Sequence, residues 1–145
     1  MFKLLWSVLW EEPQTALGAL VLLLRWTFGL VERIEPGDGR LFILSRGAVS
    51  LGVFVFHDGR ESRWFYPRSG IREHEYGHTF QSRLLGPLYL LLVGVPSVSR
   101  GIYAIGYREL TGRRWRGYFD GWPEKQADRL GGVDRQRIKT DWPSR

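Results

Sequence analysis

The 145-residue chain contains no cysteine. That excludes disulfides and thiolate metal ligation together, so any metal must be held by histidine, aspartate or glutamate. It leaves the compartment open, since either side of a bacterial membrane tolerates a cysteine-free chain. Histidine is also scarce, with three in the whole chain. Acidic residues are in deficit: 15 Asp and Glu against 21 Lys and Arg give a net charge of +6. Most of the surplus lies from Arg100 onward, where 11 Lys and Arg face 6 Asp and Glu. Such a surplus suits nucleic acid or anionic lipid head groups. No nucleic-acid recognition signature accompanies it, so an RNA-binding basic domain is the weaker reading, and binding that stayed tight at high salt would argue against it. Long apolar runs are present, but none is an uninterrupted span. The stretch Thr15 to Val31 (TALGALVLLLRWTFGLV) would span about 25 Å as a helix, short of the ~30 Å hydrocarbon layer, and carries Arg25 within it.

What the chain does have is concentrated in Glu73-His74-Glu75-Tyr76-Gly77-His78-Thr79-Phe80-Gln81. Two of the three histidines stand four residues apart, on one face of a helix, where both rings can reach one ion. Glu75 lies about 100° further round the same turn, close enough to touch a metal-bound water. This is the H-E-x-x-H arrangement of zinc peptidases. A surface helix with two solvated histidines would carry the same five residues, so the reading needs a second segment to support it.

Taken in order, Met1 to Trp10 is apolar and is interrupted by Glu11-Glu12-Pro13, a pattern unlike a cleavable signal peptide. Pro13 suits the first turn of the helix that follows. That helix reads as a tilted span, an interfacial anchor or a core helix, and seven tryptophans and eight phenylalanines favour membrane attachment, because amphipathic aromatics collect at the interface. Arg25 is then costly unless it snorkels or pairs with protein. Glu35 to Gly39 is a turn signal. Leu41–Leu44 and Ser50–Phe56 read as two strands joined through Arg46-Gly47-Ala48 as a hairpin, with a third short strand over Arg60–Tyr66. An edge strand beside the metal helix could bind extended peptide by strand addition. His57, isolated at a strand end, reads as surface. The active-site helix is expected to begin near Ser69 or Gly70, run through Arg83 and stop at Gly86-Pro87. Gly77 within it costs helix stability and implies close approach of another backbone. Pro87 to Val98, broken by Gly94 and Pro96, is expected to be helical, packed against residues 15–31 and too short to span alone. Residues 99–119 show no clear period; Arg113-Arg114-Trp115-Arg116 reads as an interfacial anchor or as solvated charge.

Two histidines do not complete a catalytic zinc site, which takes three protein ligands and keeps one position open. The best third ligand lies in Trp122-Pro123-Glu124-Lys125-Gln126-Ala127-Asp128-Arg129-Leu130-Gly131-Gly132, which Pro123 opens as a helix and the glycines close. Glu124 and Asp128 are again four apart. Glu124 would bind the metal, while Asp128 could accept the ring N–H of a ligand histidine and fix its tautomer. The competing reading is an amphipathic surface helix in which both acids pair with Lys125 and Arg129.

The pair His74-Glu75-x-x-His78 and Glu124-x-x-Ala127-Asp128-x-x-Gly131 resembles the gluzincin pattern, most nearly that of the membrane-associated stress and CAAX-processing metallopeptidases. The strings HEYGHTFQSRLLGPLYL and WPEKQADRLGGV are also similar to those of a group of short bacterial proteins. The resemblance covers about a quarter of the chain. It implies His74, His78 and Glu124 as ligands of a zinc ion, Glu75 as general base acting on a zinc-bound water, and Asp128 behind a ligand histidine. The chain departs from those peptidases in its shortness, in lacking their full set of transmembrane helices and in its 45-residue interval between His78 and Glu124, so specificity does not carry over. The candidates for stabilising the oxyanion are Tyr103, Tyr107, Tyr118 and several arginines.

The sequence therefore leads us to expect one α+β domain over residues 1–145, a minimal zincin-like fold. An apolar N-terminal anchor would occupy 1–34, a small antiparallel sheet 40–66, the metal-site helices 69–132 and a polar tail 133–145. The expected function is that of a small zinc metallopeptidase at the membrane, the bacterial inner membrane on the resemblance, acting on a peptide or protein substrate with lipid rather than nucleic acid as its other partner. The alternative is a non-hydrolytic membrane-bound adaptor whose metal site is structural or vestigial.

Overall fold

Asp38 and Gly39 both adopt positive φ, +49° and +70°, as the tight Asp-Gly hairpin turn requires. In the computed structural model, which describes residues 10–60 and 70–140 and the side chains up to Ile138, this turn joins β1 (Val31–Gly37) to β2 (Arg40–Ser45) as an antiparallel pair. β1 is thus the strand hidden inside a stretch whose Pro36 and Gly37 read as turn. It lies at the edge of the sheet, where a proline is tolerated because no ladder donor is needed on the outer side.

Ser50–Phe56 forms two strands, β3 (Val49–Leu51) and β4 (Phe54–His57), because Gly52 takes a left-handed φ of +59° and folds the chain back. A Cβ at Gly52 would lie 2.0 Å from Thr15 Oγ1, so packing as well as the turn demands glycine. The sheet order is β1-β2-β4-β3, with β2 and β4 parallel. The expected antiparallel sheet is therefore a mixed four-stranded one, and residues 46–48 begin a crossover rather than a hairpin. The additional strand expected over Arg60–Tyr66 falls, apart from Arg60, outside the described residues.

Helices cover both faces. Ile43, Phe54 and Phe56 form a core with Val21 and Leu22 of α1 (Glu12–Thr27). Phe42 faces the other way, its ring 5.8 Å from that of Tyr76 on α2 (Ile71–Leu85). α1 is inverted in its polarity. Gln14, Thr15 and Gly18 are buried, whereas Leu20, Leu23, Leu24 and Trp26 are each at least half exposed. Arg25 turns inward, donating to Ser45 Oγ at 2.6 Å and lying 4.5 Å above the Phe56 ring. The apolar face of α1 is therefore free of that charge.

After a 3₁₀ turn at Gly86–Leu88, one π-helical turn (Leu90–Gly94) leads without a break into α3 (Val95–Thr111). Pro96 is accommodated at the first turn of α3, directly after the π-helical segment, where wider hydrogen bonding absorbs its missing donor. The result is a continuous 22-residue helix, Leu90–Thr111, whose most apolar window has a mean hydropathy of 1.3, long and apolar enough by length and composition to cross a membrane. The expectation that this region is too short to do so is thus corrected. Contact with α1 falls at Gly86, whose carbonyl accepts from Gln14 Nε2 at 2.9 Å. Beyond it Leu91, Val95, Val98 and Ile102 are exposed. Gly112, at φ +71°, closes α3. A short turn at Tyr118–Asp120 precedes α4 (Glu124–Gly131), and α5 (Arg135–Thr140) follows, so that part of the expected polar tail is helical. The described residues thus form an α+β fold of five helices and one small sheet.

Candidate metal centre

α2 presents His74, Glu75 and His78 from one face. That helix is fixed from behind by donors to its carbonyls: Ser50 Oγ bonds the Glu75 carbonyl at 2.5 Å and Arg40 Nη2 the Thr79 carbonyl at 3.4 Å. Arg40 is held in turn by Glu11, with contacts of 2.5 and 3.0 Å, in an ion pair whose side chains are both fully buried.

α4 packs across α2 at glycines. A Cβ on Gly77 would fall 1.9 Å from the Ala127 carbonyl oxygen, and one on Gly131 would fall 2.0 Å from the Glu73 carbonyl oxygen. The close approach inferred from Gly77 is present, and Gly131 supplies its counterpart. It brings Glu124 and Asp128, one turn apart on α4, over the two histidines.

The ligand atoms of His74, His78 and Glu124 all lie within 4.8 Å of one another, and the three residues are buried. Glu124 Oε2 is 2.9 Å from His74 Nε2 and 3.4 Å from His78 Nε2. Asp128 Oδ1 is 2.8 Å from His74 Nδ1. His74, His78, Glu124 and Asp128, four of the five residues assigned from the two motifs, therefore converge. The surface-helix alternative, with Asp128 paired to Lys125 or Arg129, is not what forms. Asp128 pairs instead with Arg135 of α5, whose Nε lies 3.0 and 2.9 Å from its two carboxylate oxygens. The Arg135 guanidinium stacks 3.8 Å over Phe119, and Phe119 stands edge-on to His74 at 5.1 Å. His57, half-buried at the end of β4, is outside the metal group.

The donor set suits a cation. Two Nε2 atoms and a carboxylate oxygen face each other in a buried space, and the second Glu124 oxygen, Oε1, is buried without a hydrogen-bond partner. Such an orphan is expensive unless something binds it. Two imidazoles and a carboxylate with buried support are a ligand set for zinc, and also one that can hold iron.

Burial alone would lower the pKa of His74, but hydrogen bonds to Asp128 and Glu124 outweigh it and hold the imidazolium up to about 9. Burial alone would raise Glu124, and the hydrogen bond from His74 together with the neighbouring His78 outweighs that, taking it well below the usual carboxylate range. Glu75 is raised, chiefly because its carboxyl is buried, against the opposing pull of His78 and His74. Burial raises the pKa of Tyr118, one of the oxyanion candidates, and the charges of Glu124 and Glu75 raise it further. Tyr103 stacks instead with Tyr107 and Trp115.

Sequence reasoning missed Gln81 and Arg135. His78 Nδ1 lies 2.7 Å from Gln81 Oε1; the signal was available, since Gln81 stands three residues after His78 on the same helical face. Arg135 had no such signal, because its pairing depends on how α5 folds back over α4.

A scan of protein-family models finds no match to this chain, and comparisons with the curated proteins and with the solved structures find none either.

Proposed function

We propose that the protein is a small membrane-associated zinc metallopeptidase with a minimal zincin-like arrangement, in which His74, His78 and Glu124 hold the metal and Glu75 is the general base. The observation that carries this reading is the convergence of two Nε2 atoms and one carboxylate beside an orphaned buried oxygen. A zinc ion held there would supply Lewis acidity to a water and to the scissile carbonyl. Glu75 follows His74 directly, and burial raises its pKa, which makes it a stronger base for taking a proton from the water and returning it to the leaving amine.

Membrane association is supported by the inverted polarity of α1 and by the length of Leu90–Thr111, of which only 17% of the most apolar window is buried. Substrate would then be a peptide or protein reaching the site at the membrane. Nucleic acid is not part of the proposal.

A second reading, a structural metal in a non-hydrolytic adaptor, is favoured by one feature: His74, His78, Glu75 and Glu124 are all at most 6% exposed. Zinc-loaded protein in lipid vesicles separates the two. Under the peptidase reading a casein or peptide-library substrate is cleaved, and Glu75→Gln abolishes cleavage while zinc content stays at one per chain. A wild type that binds zinc through four protein groups, with no exchangeable position and no cleavage, would establish the adaptor instead.

A further inference from the structure

The ring of a ligand histidine must turn its unprotonated nitrogen to the metal, and the hydrogen bond at the other nitrogen decides which one that is. For His74 the partner is Asp128. His78 needs an equivalent, and no acid supplies it. Its Nδ1 faces Gln81 Oε1 at 2.7 Å. A glutamine amide can offer either its oxygen or its NH₂, so the direction of this bond depends on what holds Gln81.

Both amide hydrogens of Gln81 are directed elsewhere. Nε2 lies 3.1 Å from the Pro123 carbonyl oxygen and 2.8 Å from Gln126 Oε1. A carbonyl oxygen can only accept, so Pro123 fixes the NH₂ end and turns the oxygen towards His78. His78 Nδ1 then carries the proton, and Nε2 keeps its lone pair on the side of Glu124, 3.4 Å away. Pro123 is the residue before Glu124, and its carbonyl also accepts the Ala127 N–H at 3.1 Å, opening α4. Gln81 is 1% exposed, so water does not compete for these bonds.

We propose that Gln81 is a positioning residue that fixes the Nδ1–H tautomer of His78 and links it to the first turn of α4. Through this link, the helix that brings in Glu124 also orients His78, so the third ligand and the second histidine are set together. The inference rests on the metal reading above, and it adds a role for Gln81 that neither motif contains.

The test uses full-length protein and two readouts. Long-range ¹H–¹⁵N spectra of the metal-free protein, at a pH where the ring is neutral, should show His78 with the proton on Nδ1. Gln81→Met, similar in volume but without an acceptor, should lose that preference while far-UV circular dichroism stays native. Its zinc affinity, measured by competition with a chromophoric chelator, should fall ~10–100-fold, as expected for loss of a partner behind a ligand histidine. Gln81→Glu, which keeps an acceptor, should restore both the tautomer and most of the affinity. Gln126→Ala should keep the tautomer, because Pro123 still fixes the amide. A wild-type His78 protonated on Nε2, or a folded Gln81→Met with unchanged tautomer and zinc affinity, would overturn the proposal. Wild-type protein that binds no zinc would remove the metal reading, and the nitrogen spectrum would still decide the orientation of His78.

Discussion

Gly77 and Ala127 meet backbone to backbone, so closely that a single added carbon on Gly77 would lie 1.9 Å from the Ala127 carbonyl oxygen. The distance between α2 and α4 is set by this contact and by its reciprocal at Gly131, and the candidate metal ligands His74, His78 and Glu124 lie on the two helices that it joins. Gly77→Ala should therefore act on the site without touching a ligand. Overpacking against backbone costs about 1–3 kcal/mol, only partly offset by up to ~1 kcal/mol of better helix propensity. Net destabilisation by chemical denaturation and weaker zinc binding are expected together. A variant of unchanged stability and affinity would show that the helices can separate freely.

Glu124→Ala should remove most metal affinity while leaving Glu75 in place. Metal analysis of the purified variant beside wild type is the direct check. An equal zinc content in both would exclude Glu124 as a ligand.

The raised pKa of His74 favours its protonated ring, and a zinc ion bound to His74 would have to displace that proton. His74 has a folded value of about 9 against an ordinary 6.5. Its ion pair therefore stabilises the metal-free fold fully below pH 6.5 and loses that contribution as pH rises through about 9. Zinc needs the neutral ring, so the gain in melting temperature on adding zinc should be larger at pH 9 than at pH 6. Melting curves with zinc and with a chelator at the two pH values test this. A zinc effect that does not grow with pH would count against His74 as a ligand.

Arg40 and Glu11 are a buried pair on which the back of α2 leans. Removing one partner strands the other charge, at a cost of roughly 3–5 kcal/mol, whereas replacing both by apolar residues costs much less. Urea unfolding of Arg40→Met, Glu11→Leu and the double variant should therefore be strongly non-additive. Additive losses would mean that the two charges do not depend on one another.

The absence of native cysteine makes every introduced one unique. Spin labels at Leu20→Cys, Val98→Cys and Ile102→Cys in vesicle-bound protein should be more accessible to oxygen than to a polar nickel reagent, and one at Lys125→Cys should show the reverse. Equal accessibility at all four positions would exclude the proposed lipid contact.

How far the chain could be read in advance followed the range of the interactions involved. The helix that carries His74 and His78 was legible almost to its ends, because Gly70 and the Gly86-Pro87 pair are local stop signals and Ile71–Leu85 lies between them. The α4 helix was legible for the same reason. The sheet was not. Parallel pairing of β2 with β4 joins strands whose connection carries no local signature, and Pro36 concealed β1 because its tolerance there comes from an edge position that only the assembled sheet defines. The long helix was cut short at Gly94 and Pro96, which break an isolated helix but are absorbed here by one π-helical turn.

By itself, the sequence determined the chemistry on offer: no thiolate, few imidazoles, two at helical spacing beside a glutamate, and a second helix with two acids one turn apart. These follow from composition and from the 3.6-residue period, which need no partner. Tertiary structure alone decided that α4 is the helix that meets Gly77, that Gln81 and not an acid stands behind His78, and that Arg135 returns from the expected tail to hold Asp128. Those contacts join residues distant in sequence, and their energies exist only once the backbones are close enough to exclude water.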